Sequence, residues 1–418
     1  MKLSPIVKEM GTLAGGNLLA QGIALAAYFI LTRIYSPADY GLFNIFFSYI
    51  EVLIILSTCK YELAVVAAST DREASAVASF AFKLNAGVSS LLLLVALVLW
   101  RLGALPGNLG ELGWMVLLIA PMVFFSGTSR VYSFLFNRAH GYPVMALSET
   151  VNAASSAVLK ILLGLLGLLR VGLPVGTVAG RAVANLCYRL QMRRLALPAT
   201  TRAEQRRAAS THRNYPLYVA PKDFLNSFSS NLPFLWLALY FDQTQVGLFA
   251  LALTFTFRPV NLLNVAFEQV LFARSSEGVR NREPIAPMIK GFLLKTNAVA
   301  LPVFFLAWLL AEPLFGFCFG GRWSGSAVYV RALLPWVYVM LSSTSLMFVS
   351  NVFGTQRTEF FFYIGLLVLR VLAIVVGISS GSFLRAIQLY AAAGALVAAS
   401  LLVWYLVQVR NYERSLRG

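Results

Sequence analysis

Apolar stretches of about twenty residues, separated by short clusters of charge, Gly and Pro, recur along the whole chain. Runs such as Leu91 to Trp100 and Leu366 to Ile378 are apolar on every side. That suits helices in lipid, whereas strands of a membrane barrel would alternate over about ten residues. Bounded by their flanking breakers, the runs predict twelve helices. They lie at about 11–33, 40–66, 79–100, 113–137, 146–169, 172–192, 222–241, 246–272, 288–311, 326–352, 358–378 and 383–408. One long polar segment, 193–221, holds Arg193, Arg194, Arg202, Arg206, Arg207 and Arg213 with Pro198 and Pro216. The expected architecture is an all-α polytopic membrane protein. Two six-helix lobes, 1–192 and 222–418, surround a central cavity and are joined by a basic cytoplasmic linker over 193–221.

Composition removes the soluble alternatives. Of 418 residues 59% are hydrophobic and 12% charged, against about 45–50% and about 25% in a soluble domain. A dozen spans consume nearly all of that apolar content, so no large catalytic head is expected. The first stretch, about 15–32, follows Lys2 and Lys8 as a signal peptide would. It continues into Arg33-Ile34-Tyr35-Ser36-Pro37 rather than a small-residue cleavage site, so it counts as the first span. Cys59, Cys187 and Cys318 are isolated, and His140 and His212 are the two histidines. Neither a disulfide framework nor a metal or haem site is expected, and no cofactor is implied.

Charge placement orients the chain. With the amino terminus inside, the inner ends and loops collect Lys2, Lys8, Arg72, Lys83, Arg138, Arg189, the arginines of 193–213 and Lys222. They also take Arg274, Arg280, Arg282, Lys290, Arg357, Arg410, Arg414 and Arg417. The outer side receives Arg33, Arg101, Arg170, Arg322 and Arg385. The positive-inside rule therefore puts both termini in the cytoplasm. A weak internal repeat aligns Tyr40-Gly41-Leu42-Phe43 with Val246-Gly247-Leu248-Phe249 and Glu62 with Glu268, then Gly141 and Gly164 with Gly354 and Gly377. Parallel repeats of this kind enclose a midplane site in transporters.

Lys60, Arg130, Lys160, Arg181, Arg258, Lys295, Arg331 and Arg370 fall within the predicted spans. At a helix centre each costs about 2.5–3.5 kcal/mol, and only Glu51, Glu62, Glu149 and Glu268 are at hand to pair with them. Singly, each could snorkel or pair across helices; as a set they predict an anionic passenger. Arg258, beside helix-breaking Pro259, ranks first as a substrate ligand, followed by Arg130, Lys160, Arg181, Arg331 and Arg370. Asn17 with Gln21, and Asn226 with Ser230, stand one helical turn apart, and Asn261 with Asn264 follows Pro259. These polar faces fit either a cavity wall or helix-to-helix hydrogen bonds. Glu62 and Glu268, equivalent in the repeat, are the candidate ion-coupling carboxylates; the plainer alternative pairs Glu62 with Lys60 or another nearby cation at the inner surface, and Glu268 with Arg274 or a neighbouring helix.

Gly16-Asn17-Leu18-Leu19-Ala20-Gln21, the stretch from Leu31 to Phe43 with its Tyr35-Ser36-Pro37-Ala38-Asp39-Tyr40-Gly41-Leu42-Phe43, and Lys60-Tyr61-Glu62-Leu63-Ala64-Val65 together resemble bacterial Wzx-type oligosaccharide flippases. These belong to the multidrug/oligosaccharidyl-lipid/polysaccharide exporter superfamily. Asn231-Leu232-Pro233, Val246 to Ala252, Arg258-Pro259 and Glu268-Gln269-Val270 extend the likeness into the second half. Many relatives carry Arg where this chain has Lys60, which keeps the charge and loses the bidentate fork.

The resemblance implies a transporter of an undecaprenyl-pyrophosphate-linked oligosaccharide, moving it from the inner to the outer leaflet of the bacterial inner membrane. The pathway implied is O-antigen or exopolysaccharide biosynthesis. Membrane lipids surround it, a polysaccharide polymerase and a chain-length regulator are the implied partners, and nucleic acid is not. A multidrug/cation antiporter of the same superfamily would want acidic residues in its cavity, opposite to the charge found. A membrane polysaccharide polymerase would want a large outer loop, and the loops near 101–112 and 312–325 are short. With no P-loop, GxSxG or HExxH in the chain, no enzyme is expected.

Overall fold

A computed structural model describes residues 5–193, 195 and 197–417. Lys2 and Arg194 lie outside the described residues, as do the side chains of Lys8, Gln269 and Arg417. The described chain is helical throughout, with long helices α1 (Pro5–Ile34), α2 (Pro37–Thr58), α3 (Asp71–Arg101), α4 (Ile119–Arg138), α5 (Tyr142–Leu165) and α6 (Leu169–Met192). They continue as α7 (Ala220–Trp236), α8 (Gln243–Arg280), α9 (Ala286–Leu309), α10 (Ser326–Ser345), α11 (Gln356–Ser379) and α12 (Phe383–Arg417). Nine stretches of the described residues are long and apolar enough to cross a membrane. The long helices outside that set are α5, α6 and α7: α5 carries Glu149 and Lys160, α6 carries Arg170, Arg181 and Arg189, and α7 is short and rich in Ser and Asn.

Local chemistry sets the breaks. Ser36 and Asp39 form a reciprocal cap, with the Asp39 amide donating to Ser36 Oγ (3.2 Å) and the Ser36 amide to Asp39 Oδ2 (2.9 Å), and Pro37 occupies the first helical position. The helix expected over 40–66 is interrupted: Cys59 (φ 46°) and Lys60 (φ 63°) are both left-handed, and the short helix Tyr61–Ala67 follows. Apolar periodicity runs straight through this break, which is why it does not register in the hydropathy. At 326–352 the helix also ends early, at Ser345, and a short helix Phe348–Phe353 follows.

By contacts the chain forms two compact units, 1–239 and 240–418. In the first, α2 and α4 share a core that holds Leu42, Phe46, Met122 and Val123, with Met115 of the turn before α4. Small residues let backbones approach closely: a Cβ on Gly16 would stand 2.3 Å from that of Ala146, and one on Gly180 would stand 2.6 Å from that of Ser156. Helix α7 packs in this unit, one helix beyond the boundary expected at the polar segment 193–221, with Ser227 Oγ donating to the Glu51 carbonyl at 3.0 Å. In the second unit Leu271, Ile289, Leu346 and Tyr405 share a core. Leu91, Leu94 and Val98 of α3, like Leu301 and Phe305 of α9, stay uncovered by protein, as lipid-facing residues do.

The polar segment is folded rather than a bare tether. Thr201 and Glu204 cap the helix Arg202–Thr211, which buries Gln205, Ala208 and Ala209 and turns Arg202, Arg206 and Arg207 outward. It docks on the start of α3: Ser75 Oγ donates to the Pro198 carbonyl (2.7 Å), Lys83 Nζ to Gln205 Oε1 (2.7 Å), and Arg72 pairs with Glu204 (2.7 Å). The Thr201 amide, its hydroxyl and Arg72 hold the Glu204 carboxyl below its ordinary range. A depressed folded-state pKa means that its contribution is present above the ordinary value of about 4.3 and is lost as pH falls through the depressed one. Limited proteolysis should therefore find 197–213 protected at neutral pH, and cut several-fold faster both in strong acid and in Glu204→Ala at pH 7. Equal cleavage of variant and parent at neutral pH would show that the docking does not depend on this cap.

Candidate substrate site

The break after α2 distributes three consecutive side chains to three places. Lys60 Nζ pairs with Asp223 Oδ2 of α7 at 2.7 Å, its side chain 15% exposed. Tyr61 donates its hydroxyl to the Ala209 carbonyl of the docked helix (3.1 Å). Glu62 turns inward, 1% exposed, with no hydrogen-bond partner for Oε2. Lys60 thus serves Asp223 rather than Glu62.

Across α4, α5 and α6 the first unit carries a second charged group. Arg181 Nη1 meets Glu149 Oε1 at 3.0 Å. One turn on, Asn185 Nδ2 donates to the Phe125 carbonyl (2.8 Å) and to Ser129 Oγ (3.0 Å), tying α6 to α4. Arg130, next to Ser129 in sequence, is half-buried and forms no ion pair among the described residues. Lys160 Nζ lies 5.1 Å from the centre of the Phe43 ring, and the Lys160 carbonyl accepts from the buried Tyr35 hydroxyl (2.6 Å). On α1, Asn17 is exposed and Gln21 half-buried; on α7, Asn226 and Ser230 are exposed, while Ser229 and Asn231 turn into the unit.

The second unit uses its cations differently. Arg331 sits near the start of α10, where it bonds the Trp308 carbonyl (3.2 Å), lies over the Trp308 ring (5.7 Å) and approaches Glu312 (3.7 Å). It joins helix ends. Arg370 is buried between the rings of Trp336 (5.2 Å) and Tyr390 (4.7 Å), a cation–π arrangement that gathers α10, α11 and α12. Lys295 is exposed, as are Arg258 and Asn261 on α8; Asn264 is buried and its Oδ1 accepts from Ser345 Oγ (3.1 Å).

Glu268 is half-buried on α8 within electrostatic reach of Glu359, and no ion pair joins it to Arg274 among the described residues. Glu359 escapes a sequence reading. It is buried at the start of α11, accepting from Ser350 Oγ (2.5 Å) and the Tyr405 hydroxyl (2.7 Å). Its signal was a carboxylate one residue inside an apolar run, Glu359-Phe360-Phe361-Phe362, which passes for a helix end.

A family described as polysaccharide biosynthesis protein matches residues 30–328. The chain belongs to this family. Its fold is that of multidrug/oligosaccharidyl-lipid/polysaccharide exporters. The lipid II flippase MurJ, in an inward closed conformation, is similar over 97% of this chain and 90% of its own, with TM-score 0.75 and 10% identity. A multidrug resistance MATE transporter in an inward-facing conformation is similar over 94% and 96%, with TM-score 0.70 and 15% identity. A transporter from Pyrococcus furiosus Vc1, described by the reversed polarity of its binding pocket, aligns over 97% and 96%, with TM-score 0.63 and 15% identity. No curated protein matches the chain.

For this family member, Lys60 and Asp223 are a structural as well as an electrostatic link. Asp223→Ala leaves a largely buried ammonium without its partner, a loss of about 1–3 kcal/mol. A lower melting temperature of the detergent-solubilised protein is expected, with recovery in the reversed pair Lys60→Asp/Asp223→Lys. A melting temperature unmoved by Asp223→Ala would mean that water replaces the carboxylate.

Proposed function

We propose that this chain is a flippase for an undecaprenyl-pyrophosphate-linked oligosaccharide in O-antigen or exopolysaccharide synthesis. What supports the reading is membership of a polysaccharide-biosynthesis family together with Arg130, Lys160, Arg181 and Arg258 placed within long helices of the chain. Arg130, Lys160, Arg181 and Arg258 attract the pyrophosphate and acidic sugars, and Asn17, Gln21, Asn226, Ser230 and Asn261 supply hydrogen bonds to sugar hydroxyls. Arg331 and Arg370 act from the edge of that set, since Glu312 and two aromatic rings already engage them. The polyprenyl chain stays in lipid while the lobes, with 193–221 as their connection on the cytoplasmic side of the bacterial inner membrane, alternate access. Polymerase and chain-length regulator take the product outside.

Leaflet transfer needs a drive, and each unit charge moved through 100 mV is worth about 2.3 kcal/mol. Glu62, buried with an unpartnered oxygen, and Glu268, beside Glu359, are the sites where a proton or sodium ion would couple. The acidic pair Glu268 and Glu359 also favours the second reading, a cation-coupled drug antiporter.

Arg258→Ala should reduce surface polysaccharide at least tenfold in a strain depending on this gene, with normal membrane insertion and partial recovery in Arg258→Lys. Normal polysaccharide in Arg258→Ala, together with drug resistance conferred by the parent, would transfer the assignment to the antiporter. In the Glu62→Gln/Glu268→Gln variant, transport should lose its response to the proton or sodium gradient while lipid-linked oligosaccharide still binds. An unchanged gradient response would remove both carboxylates from coupling.

A further inference from the structure

A cleft of about 1060 Å³ opens in the second unit between α9 and α12, with Tyr338 of α10 among its walls. It exceeds the roughly 300–1,000 Å³ usual for small-molecule sites. Its α9 wall is one helix face, Ala286, Lys290, Leu293, Asn297 and Leu301, repeating at three and four residues. From Ala286 to Leu301 that face runs roughly 22 Å at about 1.5 Å per residue. One leaflet of a bilayer core is roughly 15 Å deep, half of about 30 Å, so the cleft is long enough for the hydrocarbon chain of a membrane lipid.

The two ends of the cleft differ in chemistry. At one end stand Lys290 of α9 and Arg410 and Arg414 of α12, all exposed, with no hydrogen bond or ion pair among the described residues. Glu413 shares that end, but its Oε1 accepts the Ala286 amide at 3.0 Å and so is engaged in capping α9. Towards the other end the lining is Leu293, Leu294, Ala298 and Leu301, and Leu294 (72%) and Leu301 (59%) leave the side open to the surroundings. Basic pockets between membrane helices on the cytoplasmic side bind anionic lipid headgroups, because that leaflet carries the negative lipids and each nearby cation adds attraction. An open side admits a two-chained lipid, one chain in the cleft and one along Leu294.

We propose that this cleft holds an anionic phospholipid of the inner leaflet, its phosphate at Lys290, Arg410 and Arg414 and one acyl chain between α9 and α12. It is a lipid site within the second unit, separate from the cations assigned to the transported substrate. The proposal rests on the membrane orientation given under the proposed function and not on the transported substrate.

The full chain, purified in a neutral maltoside detergent, is titrated with phosphatidylglycerol, with phosphatidylcholine of the same chains, with inorganic phosphate and with a polyprenyl monophosphate. Binding is read by native mass spectrometry and by thermal shift. Phosphatidylglycerol should bind at least tenfold more tightly than phosphatidylcholine and raise the melting temperature, and inorganic phosphate should do neither. Lys290→Gln/Arg410→Gln/Arg414→Gln should lose that preference. Ala298→Trp, which fills the cleft and leaves the cations in place, should weaken phosphatidylglycerol binding as well. Equal binding of the two phospholipids, retention of the preference in the triple variant, tight binding in Ala298→Trp, or displacement by polyprenyl phosphate at lower concentration would each overturn the proposal. Export plays no part in these measurements, so a failed flippase assignment leaves their outcome readable.

Discussion

Hydrocarbon offers no partner to a charge or to a peptide group, so whatever polarity this chain carries into the bilayer must be answered by the chain itself or by what it binds. Helices answer for the backbone. For side chains the answers are individual: Asp223 for Lys60, Glu149 for Arg181, Glu312 for Arg331, and the rings of Trp336 and Tyr390 for Arg370. Each pairing also ties two or more helices together, so the charges that make insertion costly become points that specify how the helices pack.

The same constraint bears on the polar long helices α5 and α6, which lie in the first unit at small-residue contacts. Gly16 against Ala146 and Gly180 against Ser156 bring backbones close enough for dispersion and weak polar contacts to replace the missing hydrophobic drive between helices. Helix α7 has a further property. Its Ser227 is engaged by Glu51 of α2, and its Asp223 by Lys60 in the break that follows α2.

The break after Thr58 concentrates much of this logic. Two left-handed residues send Lys60 to α7, Tyr61 to the docked helix 202–211 and Glu62 to the interior. One short segment thereby connects the polar surface helix, a membrane helix and a buried carboxylate, which accounts for the density of recognisable residues there.

The number and approximate limits of the long helices, the membrane setting and the family likeness were legible in the sequence, because hydropathy and helix breakers act over a few neighbouring residues. Ser36-Pro37-Ala38-Asp39 announces its own cap. Partnership was not legible. That Lys60 meets Asp223 rather than Glu62, that Glu359 is buried against Ser350 and Tyr405, and that 202–211 docks through Lys83 and Gln205 all depend on residues far apart in the chain. Nor could apolar periodicity reveal the interruption at Cys59 and Lys60, since a left-handed pair alters the direction of the chain without altering its hydropathy. Sequence determined which charges fall within the long apolar helices; only tertiary packing decided which partners they meet, because pairing is a matter of distance in space and hydropathy is a property of neighbouring residues.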